Sequence, residues 1–302
     1  MRFKSGYLLF VLILAIAACG QKAEETEKET TVSGKTLIAV DESFQPIVDE
    51  EAFVFKSLNE QADLDIVYGA ENKVVSLFLN DSVRLAILSR DLTAGEKKIL
   101  DGRNRAPKVD RFAVDAITLI VNNASVDTLI TVSELKDMLN GKARTDLNIV
   151  FDNPNSSLVR YLKAFSNSSD LKGRNIYGLK DNKEVIKYVS EHKNAIGITG
   201  FSWLNDPDKD YAEAVSRVKI VSVKDDDSKK TGYFKPSQAT LALKQYPLTR
   251  DLFIINSTGK MGLGTGFAYF MLGEKGQRII LQSGLLPDSV PTREINIIKK
   301  KK

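Results

Sequence analysis

Apolar residues fall along the chain in blocks of two alternating kinds. One kind is a continuous run bounded by polar or turn residues. Examples are Thr36-Leu37-Ile38-Ala39-Val40, Asp63 to Gly69, Arg84 to Leu88, Phe112 to Asn122, Leu147 to Phe151, Ala195 to Ile198, Arg217 to Val223 and Leu252 to Ile255. Short β-branched runs of this sort predict buried strands. The other kind recurs at helical spacing: Ile47, Phe53, Phe55 and Leu58; Asn72 to Asn80; Leu135 and Leu139; Leu158, Tyr161, Leu162 and Phe165; Asn182 to Lys193; and Phe267 to Leu281. Strands alternating with helices require crossover connections, so the pattern predicts an α/β fold with mostly parallel sheets. Ligands of such sheets sit outside the carboxyl ends of the strands. Ser43, Ser89-Arg90-Asp91 and the stretch after Phe151 all fall just past such ends.

The stretch after Phe151 carries the most chemistry. Asp152, Asn153, Pro154 and Asn155 break the strand, and Ser156-Ser157 opens the helix of Leu158, Tyr161, Leu162 and Phe165. The first backbone N–H groups of a helix have no internal partner, and the aligned peptide dipoles leave partial positive charge there. With two hydroxyls and the amide of Asn155 added, an oxyanion can be held without a formal counter-charge. A plain helix cap by Asn155 or Ser156 accounts for the same residues. Asp115 interrupts the long apolar run of Phe112 to Asn122, and a carboxylate there needs a partner or a function.

The ends differ from the body. Arg2 and Lys4 precede an apolar run from Tyr7 to Ala18, which predicts a signal peptide over 1–18 that is too short to span a bilayer as a mature helix. Cys19, the only cysteine, follows Ala17-Ala18 and resembles the lipidated cysteine of bacterial lipoproteins. Residues 19–34 are rich in Glu, Lys and Thr and read as a flexible tether at a membrane surface of the cell envelope. With one cysteine there is no internal disulfide, so the fold rests on core burial. The formal charge of +4 falls to +2 without Arg2 and Lys4, and to −2 without the basic tail 299–302. No basic-aromatic stripe suggests nucleic-acid binding. No Cys/His spacing suggests a metal, and no cofactor is expected. Gly262-Leu263-Gly264-Thr265-Gly266 mimics a dinucleotide loop but lacks the full fingerprint.

In order, these pieces resemble the phosphate-binding PstS family of ABC-importer receptors over Lys35 to Pro291. The likeness rests on Ser43, Ser89-Arg90, Ala113 to Ile117, Leu135 to Lys142, the Ser156-Ser157 helix start, Ala195-Ile196-Gly197, Tyr246-Pro247-Leu248, Gly276 to Ile280 and Gly284 to Pro287. The resemblance implies a two-lobed periplasmic binding protein-like fold with two chain crossings. Lobe 1 is expected over 35–117, lobe 2 over 118–223, and a return to lobe 1 over 224–298. It implies a monomeric, non-enzymatic lipoprotein that closes on phosphate or a related oxyanion and passes it to an ABC permease. Ser43 and Ser89 are then ligand residues from the first lobe, and Asn155, Ser156 and Ser157 from the second. Two features depart from the family pattern: Ser156 replaces a glycine, and Phe151 stands where a well-known arginine would be. Arg90 is expected to supply that guanidinium, and Asp115 or Asp91 to accept the ligand's proton. An exported phosphoester hydrolase using Ser156 or Ser157, or a sensor without transport, remains the alternative on this sequence.

Overall fold

The computed structural model describes residues 29–104, 106–171, 173–226 and 231–289. The expected signal segment, Cys19 and the basic tail lie outside the described residues.

One strand organises the rest. β1 (Gly34–Asp41), β2 (Ala62–Gly69) and β3 (Leu85–Leu88) run parallel, and each feeds a helix: α1 (Gln45–Leu58), α2 (Glu71–Leu79) and α3 (Ala94–Asp101). A 3₁₀ turn, Glu42–Phe44, joins β1 to α1. β4 (Lys108–Asn122) then runs for 15 residues, long enough at about 3.3 Å per residue to serve two lobes in succession. Its first part pairs antiparallel with β11 (Thr249–Asn256), and its second part with β8 (Ala195–Gly200) and β9 (Val218–Ile220). Between β4 and β8 come β5 (Leu129–Thr131), α4 (Val132–Leu139), β6 (Asn148–Phe151), α5 (Ser157–Phe165), β7 (Ile176–Gly178) and α6 (Asn182–Glu191). The strand order β2-β1-β3-β11-β4-β8-β6-β7 is thus parallel at both ends and antiparallel around the shared strand.

Each lobe has its own core. Ile38, Val40, Phe44, Ile87, Phe112 and Phe267 pack together in the first. Ile117, Leu119, Ile149, Leu158 and Ile198 pack together in the second. After β8 come α7 (Ser202–Asn205) and α8 (Ala212–Ser216), then β9 and β10 (Ser222–Lys224), then α9 (Gln238–Ala242). Leu241, Tyr246 and Leu248 bury in the second core, whereas the expected boundary after Val223 assigns them to the first lobe. The Ile117 N–H donates to the Leu248 carbonyl at 2.8 Å, and the Tyr246 hydroxyl donates to the Ile117 carbonyl at 2.7 Å. The two strands of the crossing are therefore tied side by side, and the chain returns at Leu248.

The expected final helix over Phe267 to Leu281 is two helices, α10 (Leu263–Leu272) and α11 (Glu274–Gln282), followed by β12 (Leu286–Pro287). Gly273 between them is extended (φ −81°, ψ 174°), and a Cβ on Gly276 would come within 2.5 Å of the Met271 backbone. Close packing at this corner requires the break, which apolar periodicity does not reveal.

Candidate functional site

The lobes meet around one arginine. β11 places Arg250 opposite Asp115 of β4; Nε donates to one carboxylate oxygen at 2.9 Å, and Nη2 lies 2.8 Å from the same oxygen in an ion pair without a hydrogen bond of its own. The other Asp115 oxygen accepts the N–H groups of Ala116 (2.8 Å) and Phe201 (3.3 Å). Arg250 lies over the Phe44 ring, 4.6 Å from its centre, and is the only basic side chain buried among the described residues. Its remaining nitrogen, Nη1, donates to the Ser157 hydroxyl at 3.2 Å. Ser157 is the first residue of α5, and its Oγ lies 3.4 Å from that of Ser43 on the other lobe. A cation, two hydroxyls from opposite lobes and a helix start converge there.

Carboxylates ring this centre. β1 ends at Asp41, fully buried, which accepts the Ser43 N–H through one oxygen at 3.0 Å and leaves the other without a hydrogen-bond partner. Burial holds the Asp41 carboxyl above the usual range, opposed by the nearby Ser157 hydroxyl and the Arg250 charge. β6 leads to Asp152, also fully buried, which accepts from Ser156 (2.5 Å) and Asn182 (3.2 Å) and is pushed by burial up to about 7. Burial likewise raises Asp115, against the opposing charge of Arg250.

The two serines of the α5 start divide the work. The Ser156 hydroxyl donates to Asp152 and accepts from the Val159 N–H at 3.2 Å, which makes it the cap. The Ser157 hydroxyl is the one presented to the other lobe. Asn155 is exposed, and its N–H is held by the Asn153 side chain.

Three expected residues stand elsewhere. Arg90 is engaged by Glu71 (2.9 Å) and by both oxygens of Glu96 (2.8 and 2.9 Å), so the guanidinium at the centre is Arg250 instead. Ser89 donates to Glu71 and accepts from Arg160, which reaches across from α5 and also pairs with Glu71 at 2.8 Å. Ser89 therefore belongs to a lobe-to-lobe latch at the rim. Asp91 lies at the surface, paired with Lys97 at 2.6 Å. Asp115 is held by structural partners, Arg250 and the Ala116 and Phe201 N–H groups.

Sequence reasoning missed Arg250, Asp41, Asp152, Glu71 and Arg160. The signal for Arg250 was present, two residues past the family-like Tyr246-Pro247-Leu248, but its partner lies 135 positions away. Two further contacts tie the lobes: Asn153 to Glu42 at 3.4 Å, and the Trp203 indole N–H to the Ser43 carbonyl at 2.9 Å.

The glycine-rich stretch is not an anion site. The first N–H of α10, on Leu263, donates to the Glu29 carboxylate at 3.1 Å, and a Cβ on Gly266 would sit 1.8 Å from the Thr31 carbonyl oxygen. These glycines let the segment at Glu29 to Thr31 pack against the helix. His192 ends α6, stacked on Tyr188 with ring centres 3.9 Å apart.

A family model for the PBP superfamily domain matches residues 25–275. The chain belongs to the PBP superfamily. Among curated PBP relatives, the phosphate-binding protein PstS of Staphylococcus saprophyticus is 27% identical over 285 residues, 88% of this chain and 83% of its own length. That of Staphylococcus epidermidis is 30% identical over 205 residues, 63% of this chain and 59% of its own. Solved structures share the fold. A Clostridium perfringens protein described as a phosphate ABC transporter substrate-binding protein aligns with TM-score 0.69 at 19% identity, covering 85% of this chain and 100% of that one. An ABC-type phosphate transport receptor from Vibrio cholerae aligns at 0.62 with 16% identity, covering 84% and 100%. The OxyR2 regulatory domain of Vibrio vulnificus aligns at 0.53 with 9% identity, covering 80% of this chain and 94% of that one.

Proposed function

We propose that the protein captures phosphate between its two lobes, outside the cytoplasm, and delivers it to an ABC importer. The observation that carries this reading is the meeting of the Arg250 guanidinium and the Ser157 hydroxyl with the Ser43 hydroxyl of the opposite lobe. Together with the free N–H groups of the first turn of α5, they offer an oxyanion a charged donor and several neutral ones. The PstS relatives are named for binding phosphate, and none of those names describes catalysis. Because the donors come from both lobes, a ligand that replaces the direct hydroxyl contact bonds fully only to the closed form and favours it. Among the described residues no helix is long and apolar enough to cross a membrane. We assign the membrane anchor to a lipid on Cys19, with a monomeric body that docks on a permease.

Selectivity follows from the unpaired oxygen of Asp41. Near neutral pH phosphate still carries a proton and sulfate does not, so a buried carboxylate acceptor favours phosphate and repels sulfate. Asp115 has its oxygens committed to Arg250 and two amides, and Asp91 faces solvent beside Lys97. The acceptor role expected of those two passes to Asp41, whose second oxygen is buried without a hydrogen-bond partner.

Trp203, the only tryptophan, reports on closure because its indole bonds Ser43 across the lobes. Titrating its fluorescence with phosphate and sulfate should show saturable binding with phosphate preferred. Ser157→Ala should weaken phosphate by roughly tenfold, the worth of one hydrogen bond to a charged ligand. Asp41→Asn should narrow the margin over sulfate. Equal wild-type affinity for both anions would replace phosphate with oxyanions in general.

A further inference from the structure

A second cavity, of about 370 Å³, lies between the start of α1 on the first lobe and α7 with its following loop on the second. Its walls carry four carboxylates, Asp49, Glu50, Asp206 and Asp208, and no lysine or arginine. Two of the four are satisfied: Asp49 accepts the Tyr68 hydroxyl, and Asp208 pairs with Lys183 at 3.0 Å. Glu50 and Asp206, one from each lobe, have neither a hydrogen bond nor an ion pair among the described residues. Half-buried Glu50 is held above the usual carboxylate range by burial and then by the charge of the exposed Asp206. Ser202 also lines the cavity; it is 4% exposed, and its hydroxyl has no hydrogen-bond partner. The rest of the wall is mostly apolar or aromatic, with Pro46, Ile47, Phe53, Trp203 and Tyr211 beside Gln45 and Ser283.

This is the chemistry of an organic cation. Among the described residues no group of three or more acidic, His or Cys side chains is placed to hold a metal ion, whereas the volume and aromatic walls suit an ammonium on a short hydrocarbon body. The geometry points to a site for a short aliphatic diamine, with one ammonium on Glu50 and the other on Asp206, that holds the lobes together. Its position links it to the oxyanion centre: Trp203 forms part of this wall and also bonds the Ser43 carbonyl at 2.9 Å. A diamine that draws the lobes together therefore raises phosphate affinity, and phosphate raises diamine affinity by the same factor. Only this coupling rests on the proposed function; the diamine site does not.

The test is calorimetry of the full chain with 1,4-diaminobutane and no phosphate present, against propylamine and against sodium chloride of equal ionic strength. Saturable binding of the diamine is expected, at least tenfold weaker for propylamine and for the Glu50→Gln/Asp206→Asn double variant. Ser202→Ala is expected to weaken binding while leaving the thermal midpoint of the free protein close to wild type. The site is overturned by equal binding to wild type and double variant, by a salt control that reproduces the signal, or by binding of a lysine-rich peptide without any of the diamine. The phosphate titration is then repeated with saturating diamine. A several-fold gain in affinity supports the coupling, and no change refutes it. A protein that binds diamine but no phosphate would refute the proposed function while leaving the diamine site standing.

Discussion

Glu51 lies in the middle of α1, fully buried on the face that carries Ile47, Val48, Ala52 and Phe55 into the first core. Neither of its carboxylate oxygens has a hydrogen-bond partner. Burial, and secondarily the charge of Glu50, push its carboxyl from the ordinary 4.5 up to about 9. In the unfolded chain the group is ionised at neutral pH, so folding takes up a proton. A carboxyl raised in this way contributes stability fully below its unfolded value and loses it as pH rises toward the folded one. At about 1.4 kcal/mol per pH unit, the cost reaches about 3 kcal/mol at pH 7 relative to pH 4.5. Glu51→Gln keeps the shape of the side chain and removes the proton from the equilibrium. Urea unfolding followed at pH 5, 6, 7 and 8 should show the variant gaining on wild type by about 1.3 kcal/mol per pH unit, with the smallest difference at pH 5. A difference that is constant over this range would show that Glu51 is ionised in the folded protein, and the reasoning from its burial would fail.

Two more expectations follow from the lobe interface and the N-terminus. Arg160 reaches from α5 to Glu71 and Ser89 while partly exposed, so Arg160→Ala should favour the open form by about 1 kcal/mol, roughly fivefold. Solution scattering of the ligand-free variant should show a larger radius than wild type, and an equal radius would deny the latch. Cys19→Ser should release the protein from membranes into the soluble fraction; retention in high salt would place the anchor elsewhere.

Local pattern carried most of the architecture. The alternation of buried runs with helical spacing announced an α/β chain, because side-chain burial in strands and helices leaves distinct periods in sequence. Ser156-Ser157 announced the start of α5, because capping is a matter of a few consecutive residues. The position of Asp115 announced a buried carboxylate that needed a partner. The identity of that partner was beyond such reasoning: Arg250 faces Asp115 only because β11 returns antiparallel beside β4. The same long-range pairing brings Arg250 to Ser157 and so marks the serine that faces the cleft, and packing within the first lobe commits Arg90 to Glu71 and Glu96. Elements are specified by neighbours in sequence, whereas charge pairing in a low-dielectric cleft is specified by neighbours in space, and those are set by strand order and register.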